Sequence, residues 1–134
     1  MSALIDKLKS EHVTIATVLQ EVRDAGITTT EGQNKLKAAK AGLLGHLGEE
    51  DKDLYPVLHK AAESNANLKG ILDTFAKDMD EITKNVIAFF DKYENVNDDV
   101  AGEFITDFAA VFGALGARIQ KEESILYPEY DKLA

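Results

Sequence analysis

The sequence predicts an all-α fold, an up-down-up-down antiparallel four-helix bundle. Apolar residues recur at three- and four-residue spacing with no sustained alternation of the strand kind. Three short polar clusters cut the chain into lengths suited to long helices, and there are only two prolines to interrupt them. Connections this short place sequential helices side by side and antiparallel.

The first helix is expected near 3–25, with the stripe Ile5, Leu8, His12, Ile15, Leu19 and Val22. Gly26-Ile27-Thr28-Thr29-Thr30 ends it, and Thr28 with Glu31 reads as a capping box for the next helix. The second, near 30–63, carries Leu36, Ala39, Leu43, His46, Glu50, Leu54 and Val57 on its seam. Ser64-Asn65-Ala66-Asn67 separates it from a third helix near 68–94, striped by Leu68, Leu72, Phe75, Met79, Ile82, Val86, Phe89 and Tyr93. Asn95-Val96-Asn97-Asp98-Asp99 supplies a capping Asn and two acids for a fourth helix near 98–132. Its stripe is Phe104, Phe108, Val111, Leu115, Arg118, Glu122 and Ile125. Pro56 and Pro128 should kink or loosen the helices they sit in.

Composition limits the chemistry. The 134 residues suit one domain spanning 1–134, and 45% hydrophobic residues suffice for a core. A net charge of −9 argues against nucleic acid or an anionic membrane as partner. There are no cysteines, which excludes disulfides, thiolate metal sites and cysteine nucleophiles. No signal-peptide run or membrane-length apolar segment is seen, so a cytoplasmic, soluble monomer is expected.

The polar residues on the seams carry the functional message. His12, His46, Glu50, Arg118 and Glu122 interrupt otherwise apolar stripes. Folding the hairpins about their loops brings these positions to within about two turns, ~11 Å, of one level. His46 and Glu50 share one helix face, as metal ligands four apart must. The segment from His46 to Glu50, closed by Leu54-Tyr55-Pro56, is written again from Arg118 to Glu122, closed by Leu126-Tyr127-Pro128. In that register Arg118 overlies His46, and a guanidinium has no lone pair to give a metal. Buried carboxylates need a cation, whether a metal ion, Arg118 or both. Tyr55 and Tyr127 read first as packing residues, and His59 as exposed. Gly42, Gly45 and Gly48, with Gly113 and Gly116 on the fourth helix, suit either close helix packing or space for a ligand.

These residues resemble the hemerythrin-like family of HHE cation-binding domains over essentially the whole chain. The likeness rests on Glu11-His12, on His46 and Glu50 ahead of Leu-Tyr-Pro, and on Glu122 ahead of the second Leu-Tyr-Pro. It implies a di-iron site in which His12 and His46 serve one iron, and Glu50 and Glu122 bridge. The positions implied for the other iron's histidines hold Phe75, Met79 and Arg118. All three losses fall on one subsite. One divalent ion beside Glu50, Glu122 and Arg118 leaves the layer near +1, and two would leave it near +3 with too few ligands. Asp78, Glu123 and Tyr127 are the auxiliary donors through which a second ion could persist.

The expected function is therefore a single non-heme transition-metal ion held by His12, His46, Glu50 and Glu122. Iron is favoured, with zinc or manganese as alternatives. The role expected is iron, gas or redox sensing, with a small diatomic or anionic ligand, in place of oxygen carriage. One alternative is a metal-free regulatory or interaction bundle in which Arg118 neutralises the carboxylates. Another is a di-iron protein with substituted ligands acting on oxygen, peroxide or nitric oxide. No nucleophile–base pair, phosphate loop or cofactor motif argues for an enzyme.

Overall fold

The computed structural model describes residues 2–94 and 101–133. It is all-helical, with four helical rods and no strands among the described residues. The first rod is α1 (Ala3–Ala25), and the second is α2 (Thr30–Glu49) continued by α3 (Tyr55–Ala62). The third is α4 (Ala66–Tyr93), and the fourth is α5 (Ala101–Lys121) continued by α6 (Tyr127–Asp131).

The rods start and stop for local reasons. Ser2 caps α1 by accepting from the Ile5 N–H, and Asn65 caps α4 by accepting from Leu68. The second rod is capped by Thr29, which accepts from Gly32 N–H at 2.9 Å, one residue later than the Thr28 box expected. Gly26 closes α1 at φ 92°, a conformation that favours glycine. A Cβ on Gly32 would lie 1.9 Å from the Gly26 carbonyl oxygen, so the first connection needs glycine on both sides. The third rod begins at Ala66, ahead of the expected 68, because Asn65 and not the following asparagine serves as cap. The expected break at Asn95–Asp99, with its capping Asn, lies outside the described residues.

The prolines act through π-helical turns. Glu50–Leu54 and Glu122–Leu126 are each one π turn, placed immediately before Tyr-Pro. Tyr55 N–H reaches back five residues to Glu50, and Tyr127 N–H does the same to Glu122. A proline cannot donate to the ladder, and its ring crowds the carbonyl four residues back. The wider turn accommodates the interruption without ending the rod. It also rotates the buried face of the helix beyond it. Val57 and Ile125, expected on the seams, are each 42% exposed, while Leu58 and Leu126 are fully buried. The rest of the stripes hold, except that Met79, Ile82 and Val111 are only half-buried.

Two apolar clusters fill the bundle. One gathers Leu19, Val22, Leu36, Phe89, Tyr93 and Phe104 with their neighbours. The other gathers Ile5, Leu8, Leu54, Leu58, Leu72 and Tyr127 with theirs. Between them lie the buried polar residues His12, His46, Glu50, Arg118 and Glu122, each 4% exposed or less. The buried stripe of α4 is interrupted here, running from Phe75 directly to Val86. Of the glycines expected near the layer, only Gly42 lies where a methyl would meet a neighbour, Ile15 at 3.8 Å, an ordinary contact. A methyl on Gly45, Gly48, Gly113 or Gly116 would meet nothing within 4 Å.

Candidate metal centre

The polar layer is built from three rods. α1 brings His12, the second rod His46 and Glu50, and the fourth rod Arg118, Glu122 and Tyr127. His12 Nε2 and His46 Nε2 face each other at 3.0 Å. Behind them, His12 Nδ1 meets Glu123 Oε2 at 2.8 Å and His46 Nδ1 meets Glu11 Oε1 at 2.7 Å. A carboxylate only accepts, so each Nδ1 carries a proton and donates it outward. In the neutral rings each Nε2 then has its lone pair aimed inward. Two imidazole lone pairs 3.0 Å apart repel unless a proton or a cation lies between them.

Glu50 and Glu122 close the layer from the other side. Glu122 Oε2 is 3.5 Å from His12 Nε2, and Glu50 Oε1 is 3.4 Å from His46 Nε2. Tyr127 Oη lies 2.9 Å from Glu50 Oε2, 2.8 Å from Glu122 Oε2 and 3.2 Å from His12 Nε2. A phenol has one proton and cannot satisfy both carboxylates. Glu50 Oε1 is fully buried with no hydrogen-bond partner. An orphan of this kind costs about 1–3 kcal/mol, more if charged.

Arg118 is one of the groups that make the two carboxylates differ. Its Nε donates to Glu122 Oε1 at 2.9 Å, its Nη1 to the Phe75 carbonyl at 3.0 Å, and its Nη2 to Tyr55 Oη at 2.9 Å. The guanidinium also lies 4.5 Å from the Phe75 ring centroid. It does not hydrogen-bond Glu50 and acts on it only through its charge. Burial pushes Glu50 up to about 10, aided by the neighbouring Glu122. Burial acts upward on Glu122 too, but hydrogen bonds to His12 and Glu50 and the charge of Arg118 bring it down to about 2. Burial lowers His12, yet its hydrogen bonds to Glu122 and Glu123 outweigh that and leave it raised. Burial, then the two carboxylates, push the Tyr127 phenol far up.

The layer therefore has more inward acceptors than donors. The nitrogens His12 Nε2 and His46 Nε2 and the oxygens of Glu50 and Glu122 converge on only two protons, that of Tyr127 and that of neutral Glu50. A transition-metal cation fits this donor set, which is nitrogen and oxygen with no sulfur. One ligand atom each from His12, His46 and Glu122 falls within 4.8 Å of the others. Glu50 borders this trio through its orphan oxygen. The outward Nδ1–H to carboxylate pairs are the arrangement that fixes a metal-ligating histidine's tautomer and orientation.

The positions expected from the sequence are thus brought together, with differences among the auxiliaries. Asp78 is half-buried and forms none of the layer's hydrogen bonds. Glu123 backs His12 and does not point inward. The tyrosines do more than pack: Tyr127 hydrogen-bonds across the layer and Tyr55 holds Arg118. Glu11 and Glu123 went unread as histidine partners, although each lies beside a seam residue in sequence. His59 is exposed, as expected.

An apolar cavity of about 70 Å³ borders the layer on the side of His12, His46, Arg118 and Glu122. Its remaining walls include Ile15, Leu43, Met79, Ile82 and Phe112, and its rim includes the exposed Leu44 and Ile87. A separate groove of about 390 Å³ borders Glu50, Asp51, Tyr55, Asp80, Thr83 and Lys84. No described helix is long and apolar enough to cross a membrane.

Comparison with known families matches the hemerythrin HHE cation-binding domain over residues 3–130. Neither the curated proteins nor the solved structures gave a match. With its four rods, its buried His, His and Glu cluster and a family match spanning nearly all of its length, the chain belongs to the hemerythrin HHE cation-binding domain family.

Proposed function

We propose that this chain holds one divalent transition-metal ion through His12, His46, Glu50 and Glu122, and that Arg118 takes the place of a second ion. The observation that carries the reading is the pair of Nε2 atoms at 3.0 Å, each backed by a carboxylate on Nδ1. Two nitrogens ~2.1 Å from one ion and at right angles to each other would be ~3.0 Å apart. The orphan Glu50 oxygen supports the same reading, since a cation removes the cost of burying it.

Arg118 supports a count of one. Its charge is already paired with Glu122, and two more of its five N–H groups go to the Phe75 carbonyl and Tyr55 Oη. With Phe75 and Met79, it leaves the second family position without a nitrogen ligand. Iron is the preferred ion, with zinc and manganese as alternatives. Bound there, such an ion supplies Lewis acidity and, if it is iron, one-electron chemistry.

The protein's own groups define what else the site does. Tyr127 offers one hydrogen bond among the donor atoms, and His12, Glu50 and Arg118 together keep Glu122 ionised. The apolar lining of the cavity offers water few partners and suits a small neutral molecule better than a charged one. That favours sensing of a diatomic gas, or of iron itself, over reversible oxygen carriage by two irons. The experiment is a thermal melt with Fe(II) or Zn(II) and with chelator. The melting temperature is expected to rise with metal, and the rise to vanish in His46→Ala. A melt indifferent to metal and chelator would instead support the metal-free interaction module, which Arg118's pairing with Glu122 favours.

A further inference from the structure

A groove of about 350 Å³ between α1 and the second rod reaches His46, but its one carboxylate, Glu11, is already engaged by His46 Nδ1; two further flanks of the layer contrast. His12, His46, Arg118 and Glu122 border the apolar cavity, whereas Glu50 borders the groove between the second rod and α4. Leu47, Met79 and Thr83 belong to both and form the partition. Glu50 is the residue whose Oε1 is buried and has no partner. Above it the groove carries the exposed acids Asp51 and Asp80, with Lys84 as a cation at its edge. The π turn at Glu50–Leu54 and the break in the buried stripe of α4 between Phe75 and Val86 meet here.

A hydrated divalent cation approaching this protein finds one flank apolar and the other acidic. Crossing the apolar cavity would strip its water with nothing in return. The groove offers carboxylates first at the surface and then at depth. We infer that this groove is the route by which the metal reaches the layer, with Asp51 and Asp80 drawing the cation in and Glu50 receiving it. This rests on the proposed metal-holding role of the layer. Asp51 and Asp80 act on the rate of loading and not on the final site, because they stay at the surface. Lys84 opposes them and tunes the same field.

The test is stopped-flow loading of the full chain with Co(II), followed by its visible absorption, at low and high ionic strength. Asp51→Asn/Asp80→Asn is expected to slow loading about fivefold or more at low salt, with stoichiometry unchanged. The difference should shrink as salt screens the groove. Asp24→Asn/Glu31→Gln removes the same charge near the α1–α2 turn and should change the rate far less. Lys84→Gln should speed loading. Equal loading rates for the groove and control variants would overturn the inference while leaving the metal site standing. Failure of the unaltered protein to take up Co(II), Zn(II) or Fe(II) would overturn the metal-holding role itself, and this route with it.

Discussion

In the first copy of the repeated motif, His46, Glu50 and Tyr55 occupy the turns that Arg118, Glu122 and Tyr127 occupy in the second. Both copies form a π turn directly ahead of Tyr-Pro, and both bury their glutamate. The same backbone holds opposite charge states. Glu122 is paired with Arg118 and stays ionised, while Glu50 lacks a cation and is driven toward its neutral form. The tyrosines cross over. Tyr55 of the first copy accepts from Arg118 of the second, and Tyr127 of the second reaches Glu50 of the first. A single exchange of His for Arg thus turns one copy into a self-neutralised pair and leaves the other in need of a cation.

The largest effect that would break this comparison is Arg118→Met. Glu122 would be left buried without its partner, at a cost of about 3–5 kcal/mol in metal-free protein, read by urea denaturation. Little change would mean that the second copy is not neutralised from within. The π turn can be tested nearly as strongly. Leu58→Ala should cost about 2–5 kcal/mol because Leu58 is fully buried. Val57→Ser, one residue earlier, should stay within about 0.5 kcal/mol because the wide turn leaves it at the surface. An uninterrupted α-helical seam predicts the reverse order.

Tyr127→Phe should cost about 1–3 kcal/mol, since it removes the only phenol proton shared by Glu50, Glu122 and His12. Differential scanning calorimetry of metal-free protein would measure it. Next comes a dependence on pH. Glu50 sits near 10 in the fold against an ordinary 4.5. Its raised value favours the fold fully below about pH 4.5, and that contribution is lost as pH rises toward 10. Metal must displace the same proton, so the melting shift on adding Zn(II) should grow from about pH 5.5 to about pH 8. At most about 1.4 kcal/mol per pH unit comes from one such group. A shift that falls over this range would contradict a neutral Glu50. Tyr55→Phe is the smallest change, roughly 1 kcal/mol or less, because Arg118 keeps Glu122 and the Phe75 carbonyl. A loss as large as that of Tyr127→Phe would make the two tyrosines equivalent, contrary to their different roles.

Much of this was legible in the sequence because helices announce their buried face by period. His12, His46, Glu50, Arg118 and Glu122 stood out as polar residues on apolar stripes, and one layer does hold them. Tyr127 is expected only as an auxiliary donor or a packing residue, because the α-helical period hides its place in the hydrogen-bond network. Tyr127 is five residues past Glu122, which an α-helix turns away from it, and the i→i+5 turn brings it back to within hydrogen-bond distance. The same turn moved the buried face from Val57 to Leu58. Glu123 is expected as an auxiliary metal donor and Glu11 not at all; their place behind the histidines is hidden because they sit beside the seam, half-exposed, where acids are ordinarily solvated. Their role emerges only when the histidine rings are placed. That Arg118 serves one carboxylate and not both also depended on geometry that a residue pattern does not contain.

The most direct test is the metal content of purified protein produced with iron available, read as ions per chain. Close to one ion per chain is expected, falling to none in His46→Ala. Two ions per chain would contradict the place given to Arg118, and none in the unaltered protein would contradict the metal site.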